Sequence, residues 1–141
     1  FTGTRLGVVT ARTLAQQLEI PLFGVSSLAA VAQRHLTAQP QNAPQDIAVE
    51  MQAQRGQLYT AIYRPRAHGL EAIQPDQVRS PDDWETALKA HPQPLERVEA
   101  GDNLGETVVQ VLELAYRRWQ GGDRPNWSTV LPYYGQHPVD R

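Results

Sequence analysis

Hydrophobic and polar positions along this chain alternate between a helical and a strand period, and that alternation predicts its elements. From Thr2 to Leu18, the residues Leu6, Val9, Leu14 and Leu18 recur at three-, five- and four-residue steps, with Ala11 and Ala15 filling the same stripe. This is the pattern of an amphipathic helix, and Thr2 or Thr4 is placed to accept an orphan backbone N–H at its start. Pro21 ends it. Leu22-Phe23-Gly24-Val25 is a continuous apolar run and predicts a short buried strand, of the kind found in a sheet covered on both faces. Ser26 and Ser27 then cap a second helix over residues 28–36, with Leu28, Val31, Ala32 and Leu36 facing inward.

The stretch from Thr37 to Asp46 holds two prolines and three glutamines and has no period, so it reads as a linker or exposed loop. It divides the chain into residues 1–37 and 38–141. Two strands follow, over residues 47–51 and 58–63, and the connection Gln52 to Gly56 fits a hairpin with a longer loop. A further strand is expected from Leu70 to Ile73, after a turn over residues 64–69. Ser80-Pro81-Asp82-Asp83 opens a helix: the serine caps, proline occupies the first turn, and two carboxylates favour the positive end of the dipole. Trp84 and Leu88 are its inward pair and Pro92 its end, with a short strand expected over residues 95–98. The last helix, residues 106–119, has Val108, Val111, Leu112, Ala115 and Trp119 as its face, a Glu113–Arg117 pair, and Gly121-Gly122 as its stop. Val130 to Tyr134 either adds an edge strand or packs back on the body. The fold class is α/β.

Composition narrows the function. The chain has 141 residues, 40% of them hydrophobic, a net charge of −2 and no cysteine. That length suits one domain or one and a half, and needs no disulfide or metal staple to hold a core. No cysteine means no disulfide, zinc ribbon or thiol nucleophile. No apolar run approaches the ~18 residues of a membrane span, and the start lacks the basic and apolar regions of a secretory signal. The first residue is Phe1, not Met, and the expectation is a chain that begins inside a longer protein.

Little in the residues supports catalysis. His35, His68, His91 and His137 lack any spacing that would put two imidazoles on one metal, and each fits a surface or capping role. Ser26 follows a predicted strand and opens a helix, as a nucleophile elbow would. The second flanking glycine is absent, since position 28 is leucine, and capping explains the serine. Asp82-Asp83 fits dipole compensation, while Glu96, Glu99 and Asp102 fit a solvated face. Phe1-Thr2-Gly3-Thr4-Arg5 would suit an anion at a helix N-terminus, but no phosphate-loop lysine accompanies it. Gly3 and Gly7, four apart, signal either a weak first turn or close approach of another backbone. Arg5, Arg12, Arg34, Arg55, Arg64, Arg66, Arg117 and Arg118, with Tyr59 and Tyr63, suit either phosphates or a protein interface.

The opening residues carry a resemblance. Residues 1–15, Phe-Thr-Gly-Thr-Arg-Leu-Gly and the helix that continues from them, resemble the Phe-Thr-Gly-Leu-Arg-Ile-Gly helix of the TsaB (YeaZ) family. Ile20-Pro21-Leu22 with Gly24-Val25-Ser26-Ser27-Leu28, the hairpin Arg55-Gly56-Gln57-Leu58-Tyr59 and the closing Leu131-Pro132-Tyr133-Tyr134 resemble that family as well. The likeness is specific over residues 1–63 and thin over 64–130. It departs at Gln52-Ala53-Gln54, where the family has Asp-Ala-Arg, so roles tied to those charges are not expected here. Thr4 and Thr13 replace an aliphatic and a small residue, and Gly135-Gln136 stand where an arginine follows the closing tyrosines.

The resemblance implies an actin-like, Hsp70-like (ribonuclease-H-like) ATPase fold. The chain is expected to supply the end of the first lobe, residues 1–37 with an interaction helix, and then the second lobe, residues 38–141. It implies a non-catalytic, cytoplasmic subunit of the bacterial system that makes threonylcarbamoyladenosine in tRNA. Its partners would be a TsaD-like catalytic subunit, a TsaE-like ATPase and a second copy of the chain, with tRNA reached only through the complex. No cofactor is expected on this chain alone, and ATP would enter at the level of the complex. Phe1, Thr2, Gly3, Arg5, Leu6 and Val9 are the expected partner-binding residues. The alternative is a nucleotide-dependent phosphotransferase or hydrolase of the same fold. A metallopeptidase conflicts with the histidine spacing.

Overall fold

The computed structural model describes residues 2–39 and 45–135. Its elements run α1 (Thr2–Leu18), α2 (Ser27–Ala38), β1 (Asp46–Gln52), β2 (Leu58–Arg66), β3 (Gly69–Arg79), α3 (Pro81–Ala90), β4 (Leu95–Glu99) and α4 (Val108–Gln120). The four strands form one mixed sheet in the order β3-β2-β1-β4. β1 is antiparallel to β2, with Val49 opposite Ala61, and parallel to β4, with Val49 opposite Val98.

The period-2 pattern decides what each face of the sheet buries. Ile47, Val49, Ala61 and Tyr63 face α2 and pack on Leu28 and Ala32. Ala48 and Ile62 point the other way, onto Leu58 and the fully buried Trp84 of α3. β1 is therefore the strand covered on both sides, and its first five residues are all buried. Its two carboxylates lie within that burial and both have partners. Asp46 takes a two-pronged bond from Arg64 (Nε–Oδ1 and Nη2–Oδ2, both 2.8 Å) and meets His91 Nε2 at 2.7 Å. Glu50 accepts from Trp84 Nε1 (2.5 Å) and from Arg97, whose Nε lies 2.7 Å away. Paired this way, the two charges tie β2, β4 and α3 to the central strand.

The structure departs from the sequence reading at several elements. Residues 22–25 are extended but carry no strand ladder. Leu22 N–H donates to Pro125 O and Gly24 O accepts from Arg118, so an apolar strand-like run lies beside a coil segment instead of another strand. β2 continues through Arg66, which leaves only Ala67-His68 as the turn, and β3 reaches Arg79 instead of ending at Ile73. β3 is an edge strand, where Pro75 is tolerated and alternate positions face water, so its period is faint in sequence. Val130–Tyr134 forms no strand and packs back: Val130 lies 3.4 Å from where a Cβ on Gly24 would sit. Tyr59 Oη also donates to Tyr134 O at 2.8 Å.

The two terminal helices bury only part of their expected faces. On α1, Ala15 is buried and Ala11 half-buried, while Leu6, Val9, Leu14 and Leu18 are exposed, so these six residues do not share one stripe. At about 100° per residue, Val8, Ala11 and Ala15 lie opposite Leu6 and Val9. On α4, Leu114 is the buried residue, with Val111 and Ala115 half-buried, whereas Val108, Leu112 and Trp119 face solvent. The Glu113–Arg117 pair forms as expected (2.7 Å), and Glu113 also accepts from Gln33 of α2. α2 lies before the expected boundary near residue 37 and packs on the sheet that follows it. Of the linker over residues 37–46, residues 40–44 lie outside the described residues.

Candidate functional site

α1 presents two opposed sides, and its sequence sets both. Thr4, Val8, Ala11 and Ala15 recur at i, i+4, i+7 and i+11 and form the inner side, small enough to let the helix approach the C-terminal segment. Arg12 flanks this side and sits over the Trp127 ring at 5.5 Å. Thr2, Leu6, Val9 and Thr13 recur at the same spacing on the other side, with Gly3, Gly7, Thr10 and Leu14 as the adjoining ridge. Leu6 is 67% and Val9 54% exposed, and a Cβ built on Gly3 or Gly7 would meet nothing within 4 Å.

Of the expected partner-binding residues, the structure brings Thr2, Gly3, Leu6 and Val9 onto this open side. Arg5 is directed elsewhere: its Nε donates to Tyr134 Oη (3.1 Å) and its guanidinium lies 5.7 Å from the Tyr134 ring centroid. Phe1 lies outside the described residues. The basic residues do not gather. Arg34 pairs with Glu106, Arg64 with Asp46, Arg66 with Glu71, Arg117 with Glu113 and Arg118 with Asp123. Their charge is spent locally, which leaves no concentrated positive face among them for a phosphate backbone.

Behind α1 lies a cleft of about 980 Å³ between its inner side, the extended segment 22–26, the loop after β1 and the closing segment 129–134. Its floor carries polar groups that the sequence did not single out together. Ser26 caps α2 by accepting from Leu28 N (3.1 Å) and Ala29 N (3.4 Å), and donates its own proton to Asp76 Oδ2 (2.5 Å). Tyr63 Oη donates to Asp76 Oδ1 at 2.8 Å and lies 3.2 Å from Ser26 Oγ. Burial, and then the charge of Asp76, push the Tyr63 phenol upward, so it stays protonated and donates. Tyr133 is raised by the same two causes in the same order. Asp76 escaped the sequence reading because it lies on the polar edge strand β3, where nothing in the pattern marks it. Ser26 was legible as a cap, and it is one.

Other candidates resolve into structure. His91 caps the C-terminus of α3 with its ring buried against Asp46, and His35 lies 3.0 Å from Glu96. Asp82 and Asp83 occupy the first turn of α3, and Ser80 caps it by accepting from Asp83 N. Where the family has a charged triplet, Gln52 to Gln54 form the end of β1 and a tight turn in which Arg55 and Gly56 adopt positive φ.

The four-stranded mixed sheet with helices on both faces is similar to solved YeaZ structures, which have the actin-like fold. YeaZ from Pseudomonas aeruginosa matches with a TM-score of 0.68 at 22% identity, over 95% of this chain and 68% of that one. The crystal structure of a protein with similarity to peptidase YEAZ, also from Pseudomonas aeruginosa, matches at 0.66 and 21%, over 96% and 68%. In sequence, the family model described as TsaD, tRNA N6-adenosine threonylcarbamoyltransferase, matches residues 1–115. The tRNA threonylcarbamoyladenosine biosynthesis protein TsaB of Bacillus subtilis (strain 168) is 38% identical over 97 residues, 67% of this chain. The chain belongs to this family, in its TsaB (YeaZ) branch. It spans 39% of the length of the Bacillus subtilis protein.

Proposed function

We propose that this chain acts in the formation of threonylcarbamoyladenosine in tRNA as a non-catalytic subunit, docking through the outer side of α1 onto a TsaD-like catalytic partner. The observation that carries the reading is the exposure of Leu6 and Val9 on the outer side of α1, with Leu14 exposed on the adjoining ridge, in a protein of this family. Such side chains lose water-exposed area only when another surface covers them, and a helix face with i, i+4, i+7 anchors is a common way to be covered. Gly3 on the adjoining ridge lets a second backbone come close. In this reading residues 1–37 contribute to the lobe that docks and 38–141 form the lobe that carries the sheet.

The catalytic chemistry and any metal belong to the partner. ATP acts at the level of the complex with a TsaE-like ATPase, tRNA is reached only through the assembly, and a second copy of the chain competes for the same helix side. No helix of the described residues is long and apolar enough to cross a membrane, and the proposed setting is the cytoplasm.

The test mixes the full-length protein with its TsaD-like partner and measures complex formation and tRNA threonylcarbamoylation. Leu6→Asp and Val9→Asp should each weaken the complex at least about tenfold and lower modification in parallel, with folding intact. Unchanged assembly and activity would remove the interface. ATP hydrolysis by the isolated protein, abolished by a point substitution within it, would replace this reading with the phosphotransferase or hydrolase alternative.

A further inference from the structure

Tyr59 and Tyr63 take no part in the outer side of α1, yet both are tied to that helix at one remove. They share one face of β2 with Ala61 between them, opposite Met51 and Ile47 of β1, and stand about 13 Å apart along the strand. Tyr63 Oη donates to Asp76 Oδ1 (2.8 Å), and the other oxygen of that carboxylate accepts from Ser26 Oγ (2.5 Å), at the end of the extended segment that follows α1. Tyr59 Oη donates to Tyr134 O (2.8 Å), and Tyr134 Oη in turn accepts from Arg5 Nε near the start of α1 (3.1 Å). One relay holds the chain that leaves α1, and the other holds its opening end. Burial raises both phenols above the ordinary tyrosine range, with Asp76 adding to it at Tyr63 and Tyr133 at Tyr59, so both stay protonated and donate.

Bonds onto the Asp76 carboxylate are charge-assisted and directional. The main neighbour of α1 among the described residues is the Trp127–Thr129 turn, where Arg12 lies over the Trp127 ring. A cation over a ring face tolerates sliding that a hydrogen bond does not. Two hydrogen-bonded points at the two ends of a helix fix its direction, whereas one point leaves it free to pivot. We propose that Tyr59 and Tyr63 are positioning residues for α1: their hydroxyls, acting through Tyr134–Arg5 and Asp76–Ser26, set the angle at which the helix stands to the sheet. The pinning stands by itself, and its effect on docking rests on the proposed role of α1. A partner seated on α1 must clear the sheet and its helices, so only some helix angles are competent, and apparent affinity falls with the fraction of molecules that hold them.

The experiment uses the full-length protein. Spin labels at Thr10→Cys on α1 and Lys89→Cys on α3, both exposed and in a background without other cysteines, report the distance between helix and sheet in the protein alone. Tyr59→Phe and Tyr63→Phe keep the rings and remove one hydroxyl each. Each should broaden the distance distribution, and the two together should broaden it more. Asp76→Ala should act as Tyr63→Phe does, with Asp76→Asn, which keeps one acceptor oxygen, in between. Leu95→Ala, which thins the opposite face of the sheet and touches neither relay, should lower stability and leave the distribution as it is. Without labels, affinity for the TsaD-like partner should fall about threefold for each tyrosine variant and at least about tenfold for the pair. A distribution unchanged in the double variant overturns the proposal, because other contacts then fix α1. So does a broadened distribution with unchanged affinity where Leu6→Asp still weakens the complex. Broadening with an affinity indifferent to Leu6→Asp as well would remove the docking face and leave the pinning in place.

Discussion

The sheet with α2 and α3 and the pair α1 and α4 are built from similar amphipathic patterns but bury them oppositely. In the first region the large side chains are inside: Trp84, Ile47, Ile62 and Val49 are fully buried, and the carboxylates among them are paired. In the second, Val8, Ala11 and Ala15 of α1 and Val111, Leu114 and Ala115 of α4 face the body, while Leu6, Leu14, Val108, Leu112 and Trp119 stand in solvent. Periodicity alone does not distinguish the two. What separates them is the neighbour: the sheet offers a broad apolar surface to pack on, whereas α1 faces a coil segment across a cleft. A helix that turns its small residues inward and its large ones outward has its larger apolar surface still to bury.

The comparison breaks most sharply at Trp84. Its indole is enclosed by Ala48, Leu58 and Ile62 and donates to Glu50. Trp84→Ala should cost about 3–5 kcal/mol by cavity formation, with a further loss from the unpaired Glu50, read as a lower urea midpoint at unchanged slope. A loss below ~1 kcal/mol would mean that this region is no better packed than α1.

Asp46 tests the polar half of the same region. The Arg64 hydrogen bonds hold its carboxyl below the usual carboxylate range against the opposing effect of burial, with His91 assisting. A folded pKa below the unfolded value of ~3.9 gives stability that is full above that value and lost as pH falls through the folded one. Asp46→Asn should therefore cost about 1–3 kcal/mol at pH ~7, and the deficit should shrink as pH drops below ~4. Urea melts at pH ~7, ~4 and ~3 would show it. A deficit independent of pH would assign the effect to shape instead of charge.

Much of the first region was legible. β1 and β2 announce themselves as mostly apolar runs with β-branched and aromatic residues on either side of a glycine-containing connection, and Ser80-Pro81-Asp82-Asp83 states a helix start in four residues. The end of β3 was not legible, because an edge strand bearing Gln74, Pro75 and Asp76 buries too little to impose a period. Leu22–Val25 has the composition of a strand, yet a strand exists only where a partner supplies its hydrogen bonds. For the site, the family motif marked α1 correctly as a helix, but which of its sides is open depends on the C-terminal segment some hundred residues away. Arg5 shows the limit: its place on the helix was readable, while its bond to Tyr134 was not.

The smallest expected effect sharpens the comparison within one helix. Leu112 and Leu114 are two residues apart on α4, chemically identical, and 70% and 8% exposed. Leu114→Ala removes a buried side chain and should cost about 2–3 kcal/mol. Leu112→Ala removes one that touches mainly water, and alanine is the better helix former, so the net change should stay within ~0.5 kcal/mol of zero. The sequence reading assigned the inward role to Leu112, so the pair decides which side of α4 faces the body by a single measurement on two variants. If Leu112→Ala proves as costly as Leu114→Ala in the protein alone, the outer face of α4 is already covered there. In that event α4 would belong with the sheet and its helices, and α1 alone would keep large apolar side chains turned to solvent.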